Sequence, residues 1–117
     1  MPRRHTHWIL DEHGLVPVDL MTWARWLEGK TNRRVALTQT KLHRVSTVFV
    51  GLDMSFVGDG PPIVFETMVF SDGGDDTEQW RYSSWDDAVA GHNAAVRRIE
   101  KLEEETKKSS STLLTDL

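Results

Sequence analysis

The chain has 117 residues, with 14 Lys and Arg against 18 Asp and Glu, five Trp and no Cys. A chain of this length makes one domain with one modest core, which excludes a two-lobed enzyme with a cofactor cleft between its lobes. Without cysteine there are no disulfides, thiolate nucleophiles or cysteine zinc sites. A net charge of −4 disfavours a general nucleic-acid binder, because phosphate affinity needs a concentrated basic face.

Residues 1–18 read as an extended arm, with a short strand at 8–10 and a further extended piece at 16–18. Asp11, Glu12 and His13 interrupt before any apolar run of signal-peptide length. No stretch approaches the roughly twenty apolar residues of a membrane span, so the expectation is an unprocessed protein with no membrane partner. The first periodic segment follows. Leu20, Trp23, Ala24 and Leu27 recur at i, i+3, i+4 and i+7, with Asp19 as N-cap and Gly29 as stop, which predicts a short amphipathic helix. Trp26 lies off that stripe, free to cover a sheet edge or meet a partner.

From Arg34 the period changes to two. Residues 34–39 alternate as an outer strand with one wet face. Residues 44–52 and 63–70 carry apolar groups on both alternating faces, which predicts central strands covered on both sides by helices, long loops or a second chain. A shorter strand at 79–83 follows an acidic turn. Ser84 and Asp87 then form a capping box, and Trp85, Val89, His92, Val96 and Ile99 make one helical stripe expected to cross the sheet, with the run from Glu103 to Glu105 outside it. Residues 107–117 read as a mobile polar tail beyond a single domain at 1–106. The fold class is therefore α+β: an antiparallel meander sheet of three to four strands, with a short N-terminal helix and a long C-terminal helix packed on it.

Candidate sites follow from residues that break these patterns. Glu66 interrupts a central strand and His92 interrupts an apolar helical stripe; if the two faces meet, they form an acid–base or orienting pair, the only catalytic candidates in the chain. The structural alternative is a sheet-end Glu and a satisfied core His. The connection 53–62 is long for a hairpin, and Gly58 and Gly60 within it permit backbone N–H groups to converge on an anion. Its spacing lacks the Lys of a phosphate-binding loop, and a proline-ended turn is the plain alternative. Met54 and Phe56 on that loop must fold back or meet a partner. His5, His7 and His13 match no closed metal motif, so no metal or other cofactor is expected. Five Trp exceed what so small a core hides, and Trp26, Trp80, Arg81 and Tyr82 are the residues expected to contact another chain or a flat ligand.

The strings S-T-V-F-V-G-L-D from Ser46 and G-P-P-I-V-F-E-T-M-V-F from Gly60, with Trp80-Arg-Tyr-Ser-Ser-Trp-Asp-Asp-Ala and Gly91-His92, resemble a family of small uncharacterised proteins of bacteriophages and prophages, chiefly actinobacterial. The resemblance spans residues 8–99. Met54 stands where the pattern has His and Val57 where it has Gly, which argues against metal or catalytic work by this loop. The resemblance implies a phage accessory protein acting in the host cytoplasm. With the aromatic residues above, the reading is a non-enzymatic module that binds a host or phage macromolecule, counter-defence being one such role, or that forms a homodimer. The alternative is a small-ligand protein, binding a nucleotide or other anion, or a minimal hydrolase that uses Glu66 and His92.

Overall fold

The computed structural model describes residues 5–29, 33–55, 60–74 and 76–115, with side chains except at 76–77 and 108–115. The elements in chain order are β1 (His7–Asp11), β2 (Gly14–Val18), α1 (Leu20–Gly29), β3 (Arg34–Gln39), β4 (His43–Phe49), β5 (Phe65–Ser71), β6 (Asp76–Tyr82) and α2 (Trp85–Thr115). β3 to β6 form one antiparallel sheet in sequential order, and β1 pairs with β2 in a separate hairpin. The fold is α+β, a four-stranded meander with a short helix and a long C-terminal helix.

The expected arm is thus a hairpin, turning at Glu12 with φ 57°. It is tied to the main sheet by main-chain bonds: Trp8 N donates to Gly51 O at 2.8 Å, and Asp53 N to Thr6 O at 2.9 Å. Gly51 sits at φ 78°, and a Cβ there would lie 2.6 Å from Trp23 Nε1 and 2.7 Å from Trp8 O. Only glycine fits so close a junction of three elements. The same junction ends β4 at Phe49, short of the expected residue 52, because Gly51 and Leu52 turn aside to pair with the hairpin.

Alternation along β4 and β5 sorts the two sheet faces. Val45, Thr47 and Phe49 are buried on the same face as Phe65, Thr67 and Val69, and these six meet α2. Trp8, Leu10, Leu15, Trp26 and Trp85 close one end of that core around Phe49, Val64, Phe65 and Ala88. Both expected helix starts hold, since Thr22 N donates to Asp19 Oδ1 at 2.7 Å and Asp87 N to Ser84 Oγ at 3.1 Å.

The buried stripe of α2 differs from the expected one. It runs through Ala88, His92, Ala95, Ile99 and Glu103, while Val89 is exposed. Small residues win this face because the helix lies close to the sheet: a Cβ on Gly91 would fall 2.2 Å from the Tyr82 ring. The helix also continues through the expected tail to Thr115. No Gly or Pro follows Gly91, and Ser and Thr alone do not stop a helix that is already propagating.

The Gly91 contact sets an expected sign. On an open helix surface, Gly→Ala gains about 1 kcal/mol. Here Gly91→Ala should instead destabilise by about 1–3 kcal/mol through overpacking against Tyr82. Chemical denaturation measures this, and Tyr82→Ala in the same chain should recover the helix-propensity gain.

Candidate binding site

Glu66 and His92 do not meet. Glu66 pairs in register with Val48 and Arg81 on the face away from α2, and its carboxylate accepts a hydrogen bond from Arg81 Nε at 3.0 Å. His92, 2% exposed, lies on the opposite face beneath α2. Its Nδ1 is 2.8 Å from Thr47 Oγ1 and its Nε2 is 2.9 Å from Thr38 Oγ1. Thr47 Oγ1 is in turn 2.5 Å from Thr67 Oγ1, its direct cross-strand partner. Burial pushes the imidazole below its ordinary value of 6.5. A neutral ring offers one donor and one acceptor, and the rotating hydroxyls satisfy both nitrogens. The chain Thr38, His92, Thr47, Thr67 is a sealed polar rivet joining α2 to three strands. A sheet strand separates it from Glu66, so the acid–base pair has no geometric basis.

A second buried group was invisible as such in the sequence. Glu103, from the acidic run expected outside the helical stripe, is 7% exposed. Its Oε2 accepts from Thr40 Oγ1 and Leu42 N at 2.8 Å each, and lies 2.6 Å from His43 Nδ1. Burial opposes ionisation, but the hydrogen bonds from His43, Thr40 and Leu42 outweigh it and hold the carboxyl below its ordinary 4.5. All of its donors come from the β3–β4 turn, so Glu103 clasps that turn to α2. Its only sequence signal is spacing, four residues after Ile99 on the buried stripe.

The aromatic candidates lie on the helix side of the sheet. Trp80 packs against the Val45, Val69, Ala95 and Ile99 cluster, and Tyr82 against the other core cluster and Gly91. Trp26 meets Phe49 edge-on, with ring centroids 5.5 Å apart. All three are half-buried. Strand alternation turns Trp80 and Tyr82 toward α2 and Arg81 away from it, so these candidates do not share one face of the sheet.

What remains open is the other face. Leu37, Val48, Met68 and Phe70 share it with Ser46, Gln39 and Gln79, and no helix packs on it among the described residues. Helical cover is present on one face only among the described residues. Leu37 is 45% exposed. Arg44 lies over the Phe70 ring, with its guanidinium carbon 4.9 Å from the centroid, and Arg34 stands opposite Val48 beside a bulge in β3. With Arg81, the face carries three arginines against one glutamate among the residues whose side chains are described, in a chain of net charge −4.

At the Arg81 end lies a cavity of about 600 Å³, lined by Met54, Ser55, Gly60, Pro61, Ile63, Arg81 and Ser83. Three residues singled out in the sequence, Met54, Gly60 and Arg81, meet here. Asp53 shapes the wall, its Oδ1 accepting from Ser55 N, Ser55 Oγ and Ile63 N. Phe56 and Gly58 lie outside the described residues. A second cavity, lined by Glu78, Gln79, Trp80 and Arg98, has its guanidinium held by Glu78 through two bonds of 2.6 and 3.1 Å. The candidate histidines at the N-terminus are dispersed: His7 lies against Trp23 and His13 stacks on Trp85 at 3.8 Å. No group of three or more metal-ligating side chains forms among the described residues. No helix is long and apolar enough to cross a membrane.

Both buried titratable groups give pH signatures. The unfolded chain takes up the His92 proton more readily than the folded one, so stability from neutral His92 is intact above pH 6.5 and declines as pH falls below it. His92→Leu should flatten the fall in thermal midpoint between about pH 7 and 5.5, and an unchanged slope would contradict the sealed rivet. Glu103 has its folded value depressed, so its contribution is present above 4.5 and lost as pH drops through the folded value. Glu103→Gln should cost about 1–3 kcal/mol at neutral pH, and the difference from the parent should shrink in acid. No family model, curated protein or solved structure matches the chain.

Proposed function

We propose that the protein is a non-enzymatic binding module that docks a protein partner with an acidic, apolar surface onto the open face of its sheet. The observation that carries this reading is the composition of that face: Leu37, Val48, Met68 and Phe70 flanked by Arg34, Arg44 and Arg81. Apolar area drives association, while the arginines select an acidic partner and steer its approach. In an acidic chain, a local excess of positive charge among the described side chains of the face opposite α2 supports a partner of opposite sign. The phage-type strings in the sequence support an accessory role in the host cytoplasm, with a host defence or metabolic protein as the partner in view. A catalytic reading gains no support, because the two candidate groups are on opposite faces of the sheet.

Met68→Glu and Arg44→Glu test the proposal. Both sit on the open face, so each variant should unfold within a few degrees of the parent; surface changes usually cost under about 0.5 kcal/mol. Affinity capture from infected host cells should recover a partner with the parent chain and lose it with both variants. Recovery of the same partner with either variant would sink the reading. So would a concentration-dependent dimer in sedimentation that Met68→Glu dissociates, since a second copy would then be the occupant.

A further inference from the structure

We infer that the cavity beside Arg81 is a binding site for a carboxylate carried on an apolar body. The site shares Arg81 with the margin of the open face, but it does not require that face to be occupied, and its apolar wall is made of other residues. Its volume, about 600 Å³, falls in the range of small-ligand sites. Its lining divides in two. Met54, Pro61 and Ile63 supply an apolar wall, and Arg81 and Ser83 supply polar groups at one side.

The chemistry of Arg81 selects the ligand. Among the described residues its guanidinium is held through Nε alone, by Glu66 Oε2 at 3.0 Å. That bond fixes the plane of the group and leaves the two Nη nitrogens as a fork, the geometry that takes a carboxylate through parallel hydrogen bonds. Glu66 is the positioning residue; its side chain is 14% exposed against 39% for Arg81, so the inner group anchors the outer one. The cavity at Trp80 shows the contrast, because there Glu78 already takes the Nε–Nη2 edge of Arg98 in a bidentate pair. Among the described residues the lining presents one cation, Arg81, beside an apolar wall, which suits one negative charge with a hydrocarbon or hydrophobic side chain attached. A multiply charged phosphate ester would need more cations than the described lining holds.

Two sources share this chemistry: a free amphiphilic acid, and the C-terminal carboxylate of a peptide ending in an apolar residue. Isotope-labelled full-length protein is titrated with octanoate, with octan-1-ol, and with an acetylated Ala-Val-Leu tripeptide as free acid and as amide, following the Met54 and Ile63 methyl resonances. At least one of the two acids should give saturable shifts and bind about tenfold or more tightly than its uncharged counterpart, as expected for a hydrogen bond to a charged group. Arg81→Gln should erase that preference and leave the octan-1-ol shifts in place, which also reports that the wall is intact. Ile63→Ala should weaken acid and alcohol alike. Preference for octanoate over the tripeptide acid assigns a free ligand, and the reverse assigns a chain terminus. Equal binding of acid and uncharged partner, a preference that survives Arg81→Gln, or no saturable shift with either acid overturns the inference. None of these outcomes depends on Met68 or Arg44, so failure here is distinct from failure of docking on the open face.

Discussion

An imidazole taken out of water must find partners for both ring nitrogens, and His92 finds them on two different strands of the same sheet face. That requirement fixes more than one side chain. To reach Thr47 and Thr38 from a helix backbone, α2 has to lie close against the sheet, and the residues on either side of His92 in the stripe are Ala88, Gly91 and Ala95. Larger side chains there would lift the helix and leave the His92 ring nitrogens without their hydroxyl partners, at a cost of about 1–3 kcal/mol for each buried group left unpaired. The polar rivet and the small residues around it are therefore one device.

Its consequence is the asymmetry of the sheet. A second clasp, Glu103 on the β3–β4 turn, holds the same helix a few turns further along. With α2 pinned at both points, and with β1, β2 and α1 gathered at the helix end of the core, the described elements are all committed to one face. The open face keeps only what strands themselves provide: apolar side chains at alternate positions and charged ones at the margins. Glu66 and Arg81 belong to that margin. A carboxylate half-sunk among Val48 and Met68 is tolerable because a guanidinium meets it, and the arginine that supplies it also lines the cavity.

The alternation of Val45, Thr47 and Phe49 along β4 made the order of strands and the sorting of faces readable, since a period of two admits one assignment once a core side is chosen. Capping was equally legible at Asp19 and Ser84, because the signal is local. The helix stripe was misphased for a physical reason. Hydrophobicity favours Val89 over Ala88, but close helix–sheet approach selects by size, and the approach distance is a tertiary property. Glu103 was missed for a related cause: a carboxylate in an acidic run looks solvated until the turn that supplies its three donors is brought sixty residues along the chain. Trp80 and Tyr82 looked like a surface because the count of five Trp was set against the expected core. Ala95 and Ile99 of α2 half-bury Trp80, and the core that the hairpin and α1 extend half-buries Tyr82.

Association through this domain has two geometric routes, strand edges or the open face, and the edges are poorly suited. β3 is interrupted by a register shift at Arg34 and Ala36, and β6 by one where Val69 and Phe70 pair with it. A bulge twists an edge and breaks the run of main-chain donors and acceptors that an incoming strand needs. Charged residues on β6 add to the obstacle, since Glu78 is occupied by Arg98 from α2 and a new strand would pass beside that pair. The face has no such interruption. Val48, Met68 and Phe70 lie on the two central strands in continuous register from Phe49 to His43. A partner approaching from that side meets an ordered apolar surface without unfolding anything, and the arginines at its margins are already placed to receive opposite charge.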